Sequence, residues 1–408
     1  MSAEVLVINS GSSSLKYQVV NARTGVAAAS GLIERIGLSG SRLTHHNNSE
    51  KTEWEVEVEN HAAATAEMRR AFDELGPSLA EMDLVAVGHR VVQGGYRFGG
   101  PVLITESVKH IIDDLSPLAP LHNPPNLEGI NAGEEAFADL PHVAVFDTAF
   151  HMTMPSRAAM YALNSEVARQ YRVRRYGFHG TSHSYVSKQA AQFLGKADSD
   201  TNLIVLHLGN GASATAVAGG ASVDTSMGLT PLEGLVMGTR TGDIDPAVTM
   251  YLARAANMTL DEIDDLFNRR SGMLGLTGHQ DMRDVVDAWK AGNPAAEAGL
   301  DLYTYRLKKY IGSYLAVLGR VDALVFTAGI GENSADVRRL AVSGLEHLGI
   351  EIDEAKNRER KPGVMDITAE GAQVRTLVIP TNEEWEIARQ TLAVIEEPGE
   401  HEPIDPYK

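Results

Sequence analysis

Val5-Leu6-Val7-Ile8-Asn9-Ser10-Gly11-Ser12-Ser13-Ser14-Leu15-Lys16-Tyr17-Gln18-Val19-Val20 opens the chain as strand, tight turn and strand. Branched apolar residues suit a pleated surface, and the Gly/Ser cluster interrupts them. A third strand over 26–35 follows Thr24-Gly25, completing a meander. The pattern returns mid-chain as Leu203 to Leu208, Gly209-Asn210-Gly211, Ala212 to Val217, Gly219-Gly220 and another short strand. Each meander is followed by two compact apolar runs of the kind buried parallel strands give: 84–87 and 143–146, then 323–326 and 374–379.

Helical periodicity separates these runs. Met68, Ala71, Phe72 and Leu75 share one face of 62–75, and Val108, Ile111, Ile112 and Leu115 repeat at helical spacing. The same period marks 248–256, 263–267, 300–318 and 337–348, and 384–395 carries an apolar face that must pack against something. The polar stretch 39–60 reads as a hairpin or flap rather than core. The simplest account is α/β, a duplicated βββαβαβα unit giving two domains with a cleft between them. The expected division is 1–149 plus 385–408, whose C-terminal helix returns to the first domain, and 150–384, the nucleotide-binding domain. The acidic, Pro-containing segment 398–408 reads as unstructured.

Composition narrows the class. The 408 residues are 43% hydrophobic and 22% charged, enough for a full core, which excludes a disordered chain or a disulfide scaffold. A formal charge of −18 repels nucleic acid and anionic lipid at long range, so neither is an expected partner. A small anionic substrate then needs a local cationic pocket. The chain has no cysteine, hence no thiolate ligand or nucleophile, in keeping with a reducing compartment. Residues 1–20 lack the basic and apolar segments of an export signal, and no apolar run reaches the ~18 residues of a membrane span. The expectation is a cytoplasmic protein, with the sequons at Asn47 and Asn257 unused.

Three turns could carry chemistry. Asn9 to Lys16 offers backbone N–H groups, small hydroxyls and one ammonium, the parts that cradle a phosphate, although the spacing of a Walker A loop is absent. Taken alone, such a turn is more often a structural hairpin; the strand Asn9 at its head and Lys16 after it shift the balance toward a ligand. His207 to Ser213 holds the same place in the second repeat, where Asn-Gly is an ordinary hairpin turn or the partner of the first loop on a triphosphate. Gly329-Ile330-Gly331-Glu332-Asn333-Ser334 follows a buried strand and opens a helix with Ser334 as N-cap; it lies where open α/β sheets bind ligands but lacks the third glycine of the dinucleotide fingerprint.

Over nearly its whole length the chain resembles the acetate kinase family, within the superfamily of actin, sugar kinases and heat-shock ATPases. The resemblance rests first on residues 7–16 and 205–213, which look like the family's two signatures. Gly88-His89-Arg90-Val91-Val92, Leu121-His122-Asn123-Pro124-Pro125, Phe146-Asp147-Thr148, Tyr176-Gly177-Phe178-His179-Gly180, Met237-Gly238-Thr239-Arg240-Thr241-Gly242 and Pro380-Thr381-Asn382-Glu383-Glu384 add to it. It implies ribonuclease H-like, actin-type domains and reversible transfer of the γ-phosphoryl of ATP to acetate. The products are acetyl phosphate and ADP, the metal is Mg²⁺ with Mn²⁺ as an alternative, and the assembly is a homodimer.

It also implies roles. Arg90 addresses the acetate carboxylate, while Arg240 and His179 address the transferring phosphoryl group. Asp147 is either the catalytic acid/base or the group that orients the arginines. Asn9 and Glu383 match the metal positions, and Val92, Leu121, Phe178 and Pro231 the methyl pocket. Lys16, Ser12, Ser14, His207, Leu208, Gly209, Asn210, Gly211, Asp281, Met282, Arg283, Gly329, Ile330, Gly331, Glu332 and Asn333 match the nucleotide site. His122 and His151 are structural or ligand-facing. The chemistry agrees with a cationic site. Acetate is already ionised at neutral pH, its pKa lying near the ~4 of a side-chain carboxyl, so no general base is needed. The difficulty is to bring two anions together and stabilise charge on the phosphoryl oxygens. The competing readings are direct in-line transfer or a phosphoryl-enzyme on Glu383 or a histidine, acetate or a longer acid such as propionate, and, more remotely, a non-catalytic actin-type nucleotide switch.

Overall fold

The computed structural model describes residues 3–47 and 50–397; the unstructured reading of 398–408 and part of the Asn47 sequon lie outside them. Two compact units result, 1–152 with 382–408, and 153–381.

The first unit holds eight strands: β1 Glu4–Gly11, β2 Ser14–Asn21, β3 Ala27–Glu34, β4 Ser41–Asn47, β5 Glu50–Val56, β6 Leu84–Val91, β7 Val102–Leu103 and β8 His142–Phe146, in the order β5-β4-β3-β2-β1-β6-β8-β7. β1 to β5 run antiparallel, whereas β1, β6 and β8 are parallel. The second unit holds β9 Asn202–Leu208, β10 Ala212–Ala218, β11 Ala221–Thr225, β12 Ala323–Thr327, β13 Met365–Asp366 and β14 Arg375–Val378, ordered β11-β10-β9-β12-β14-β13. The series β3-β2-β1-β6-β8 and β11-β10-β9-β12-β14 match strand for strand. That is the duplicated α/β unit expected from the returning meander.

Burial explains the apolar runs. His142 to Phe146 and Ala323 to Thr327 are buried at every position, as strands covered on both faces must be. The last helix, Glu383–Glu396, lays Ile387, Ala388, Leu392 and Val394 against Val5, Val7, Val20, Val143 and Val145. It therefore belongs to the first unit from its first turn, and Asn382, Glu383 and Glu384 lie with that unit.

Two elements differ from the sequence reading. The stretch 39–60 is a hairpin, but it contributes to the core: Leu43 and Val56 join the cluster under the first sheet, and buried His45 accepts or donates at Tyr17 Oη, 2.7 Å away. The helix expected over 337–348 is Ala335–Val342 only. Gly344 takes φ +82° there, and the chain resumes as a single 3₁₀ turn over Glu346–Leu348. No helix among the described residues is long and apolar enough to cross a membrane.

Candidate functional site

The first unit gathers its candidate residues at the C-terminal ends of β1, β6 and β8. The turn after β1 is a tight hairpin in which Gly11 faces Ser14 and Asn9 faces Lys16 in register. Parallel pairing sets Arg90 opposite Val145, two residues before Asp147. The Asp147 carboxylate is buried and takes a two-pronged grip from Arg90, Nε to Oδ1 at 3.1 Å and Nη2 to Oδ2 at 2.5 Å, while Arg90 Nη1 donates to Asn9 Oδ1 at 3.2 Å. A guanidinium has five N–H donors, so two remain for another acceptor. Burial opposes the Arg90 charge, but Asp147 and Glu383 outweigh it and raise its pKa.

Glu383 is pushed up to about 7, first by burial and then by the like charges of Asp147 and Glu384, against the pull of Arg90 and Lys16. Lys16 Nζ pairs with Glu384. Three carboxylates thus share two cations, a donor set short of positive charge. Ser12 is exposed at the turn, Ser14 half-buried, Val92 buried and Leu121 52% exposed. His151 is buried.

Sequence reasoning missed the clamps behind this region. Asn126, from the helix Asn123–Ala136, donates to Ser10 C=O at 2.7 Å and accepts from Val92 N–H at 3.0 Å, tying the first turn to β6. His61, heading the helix His61–Leu75, reaches Gly11 C=O at 2.8 Å and Glu128 at 2.7 Å. The Asn-Pro-Pro-Asn run was visible; what its amides would hold depends on tertiary neighbours.

In the second unit the turn Gly209-Asn210-Gly211 is locked to the 237–242 loop. Gly238 N–H donates to Asn210 C=O at 2.9 Å, and a Cβ on Gly238 would fall 2.0 Å from Asn210 Oδ1, which Gln280 Nε2 also reaches at 3.1 Å. His179 begins the helix Gly180–Leu194 in the left-handed region, φ +57° and ψ +24°, an uncommon conformation for a residue other than glycine. A Cβ built on Gly211 would lie 3.5 Å from His179 Nε2 and 3.6 Å from Arg240 Nη1, so both groups converge on the glycine face of this turn. Arg240 Nη1 otherwise contacts Pro231 C=O at 3.1 Å and Met237 Sδ at 3.6 Å; burial lowers its pKa, and no carboxylate pairs with it among the described residues. His207 and His179 stack with centroids 4.2 Å apart, and His207 Nδ1 is 2.8 Å from Ser182 Oγ. Phe178 is buried and Pro231 half-buried.

A cavity of about 1330 Å³ opens beside the turn, lined by Gly209, Asn210, the 278–284 segment, Gly329, Ile330, Glu332 and Asn333. His207, Leu208, Gly211 and Gly331 do not line it. Asp281 caps the helix Met282–Lys290 and is held at about 2 by side-chain and backbone hydrogen bonds from Arg283. Residues 329–333 form a helical turn, Ala328–Asn333, instead of an open loop. Ser334 closes it and caps the next helix by accepting from Val337 N–H at 3.3 Å. Glu332 Oε1 accepts from Thr381 N–H at 3.1 Å, and burial raises its pKa. Fully buried Arg338 holds this turn, donating to Gly331 C=O at 2.8 Å and Glu332 C=O at 2.9 Å.

Each unit, taken by itself, carries an arginine with N–H donors to spare, and in the second unit that cluster adjoins a turn beside a cavity of about 1330 Å³. Such donors suit anions, and comparison with known proteins agrees. Residues 4–389 match the acetokinase family. An acetate kinase of Leifsonia xyli is 56% identical over 96% of this chain and 98% of its own. An acetate kinase structure from Porphyromonas gingivalis superposes with a TM-score of 0.92 at 41% identity, covering 97% of this chain and 100% of that one. A propionate kinase from Francisella tularensis gives 0.91 at 42%, covering 96% and 100%. With its duplicated fold, its two loop signatures and this likeness along nearly the full length, the chain belongs to the acetokinase family.

Proposed function

We propose that the chain is an acetate kinase, transferring the γ-phosphoryl group of ATP reversibly to acetate by direct in-line attack. The observation that carries the reading is the convergence of His179 Nε2 and the carboxylate-free Arg240 guanidinium on the Gly211 face. Paired donors fixed before an anion arrives stabilise developing charge without reorganisation, and losing one costs about 3 to 4 kcal/mol of barrier. Arg90 supports the acceptor role: its two remaining N–H donors suit a carboxylate, with Asp147 as the orienting group. The 1330 Å³ cavity and its glycine-rich walls support ATP binding there, with Asp281 to Arg283 and Gly329 to Asn333 near the adenosine.

The first unit's residues fit Mg²⁺, because a buried carboxylate group short of positive charge favours a hard cation that keeps most of its waters. Asn9 Oδ1 and Glu383 would hold it. When bound, it neutralises charge on the phosphate oxygens. A cytoplasmic homodimer completes the proposal; Met250, Tyr251 and Leu260, exposed on two packed helices of the second unit, support a surface for a second copy.

Hydroxamate trapping tests the activity: acyl phosphate should form only with ATP, Mg²⁺ and acid together. Relative kcat/KM for acetate, propionate and butyrate separates the second reading, favoured by the propionate kinase likeness, since one methylene changes binding by only about 1 to 3 kcal/mol. Chiral-phosphate transfer should invert configuration; retention would require a phosphoryl-enzyme.

A further inference from the structure

Ser213 lies on β10 opposite His207 of β9 and is fully buried. Its Oγ stands 2.9 Å from His179 Nδ1 and 2.7 Å from His183 Nε2. His183, also fully buried, sits one helical turn beyond His179, donating its backbone N–H to the His179 carbonyl at 2.9 Å. A serine hydroxyl owns one proton. It can donate to one of these nitrogens only, and must accept from the other.

The two arrangements have opposite consequences at the Gly211 face. If His179 carried its proton on Nδ1, Nε2 would present a lone pair beside Arg240 and repel an arriving phosphoryl oxygen. If both nitrogens were protonated, two cations would stand side by side before any anion came. Only a neutral ring with its proton on Nε2 gives a donor there at no electrostatic cost, and it requires Nδ1 to accept from Ser213.

We propose that His183 donates Nε2–H to Ser213, that Ser213 donates its hydroxyl proton to His179 Nδ1, and that this relay fixes His179 as an Nε2–H donor to the transferring phosphoryl group. The choice between the two arrangements rests on the kinase reading above, because it is the arriving anion that requires a donor at Nε2; the tautomer itself can be read without any activity. His183 and Ser213 are then positioning residues that touch no substrate. The stacked His207 ring, held from behind by Ser182, whose Oγ is also 2.7 Å from Thr381 Oγ1, keeps the His179 ring plane in register with the relay.

Nitrogen-15 NMR of histidine-labelled protein, with His179 assigned by loss of its signals in His179→Gln, reads the relay directly. The unsubstituted protein should show a non-protonated Nδ1 and a protonated Nε2. A protonated Nδ1 overturns the proposal, and this reading needs neither activity nor a folded relay variant. A protein with the expected tautomer that phosphorylates no acid would sink the kinase reading alone. In kinetics, Ser213→Ala and His183→Leu should each lower kcat about 10- to 100-fold, by analogy with the partners that orient metal-bound histidines, with KM for acetate within about twofold. His183→Gln, which restores an N–H at the Nε2 position, should recover most of the His183→Leu loss. In a His179→Gln background Ser213→Ala should cost no further factor. Full additivity there, or no rescue by His183→Gln, overturns the proposal.

Discussion

Arg90 and Asp147 meet as a two-pronged ion pair at the ends of two parallel strands, with the carboxylate buried and the guanidinium still partly open. A carboxylate with both oxygens committed to an arginine is built to orient that arginine. Asp147→Asn should therefore lower kcat about 10²- to 10³-fold, the loss of one well-placed electrostatic contact. The loss should be uniform from pH 8 to 9 in the hydroxamate assay, above the range in which Glu383, whose pKa Asp147 helps to raise to about 7, changes charge. Disappearance of one limb of the pH–rate profile would instead mark Asp147 as an acid/base.

Gly211 permits a test by addition. A Cβ there meets His179 and Arg240 at ordinary van der Waals distance, so Gly211→Ala should leave the melting temperature within about 2 °C, equivalent to about 1 kcal/mol. It would occupy the face on which the two donors converge, so kcat/KM for ATP should fall at least ~10-fold. An active Gly211→Ala enzyme would place the phosphoryl group elsewhere.

His89 and His142 form a buried hydrogen-bonded pair at 2.9 Å, with His142 Nε2 donating to Phe137 C=O at 3.2 Å. Burial, and for His89 then the charge of His142, lowers both pKa values. The unfolded chain therefore takes up protons first. Stability contributed by the neutral pair is full above the unfolded value of about 6.5 and is lost as pH falls below it toward the folded values. Urea midpoints should drop between pH 7 and pH 5, and His89→Gln should flatten that slope. An unchanged slope would refute the assignment.

Arg338 is buried, and no carboxylate pairs with it among the described residues. It donates to the Gly331 and Glu332 carbonyls and, at 2.7 Å each, to Asn357 Oδ1 and C=O, while burial and then Arg360 lower its pKa to about 10. Arg338→Met leaves these acceptors unmatched, at about 1 to 3 kcal/mol for each one that water does not reach. Calorimetry should show a lowered melting temperature, and ATP KM should rise more than acetate KM. Equal changes in both constants would mean the 328–333 turn does not serve the nucleotide.

What could be read without coordinates was whatever depends on local chemistry. Gly-Ser and Asn-Gly turns terminate strands wherever they occur, and uninterrupted branched runs such as 143–146 announce strands covered on both faces, so the duplicated architecture was legible, as was the Ser334 cap. Locality also set the errors: the apolar period of 337–348 continues past Gly344, whose positive φ ends the helix, and the polar 39–60 hairpin conceals Leu43 and His45 on the face that the sheet buries. Tertiary structure alone decided which groups meet. The parallel pairing of β6 and β8 makes Asp147 the partner of Arg90, the β9–β10 register brings Ser213 between two histidines, and the docking of Asn126 and Arg338 sets the turns they hold. The contacts of Asp147, Ser213 and Asn126 span 30 to 116 residues of chain, beyond the reach of any periodicity or turn propensity; Arg338 reaches back only six or seven residues, but what docks it there is Asn357, 19 residues further on.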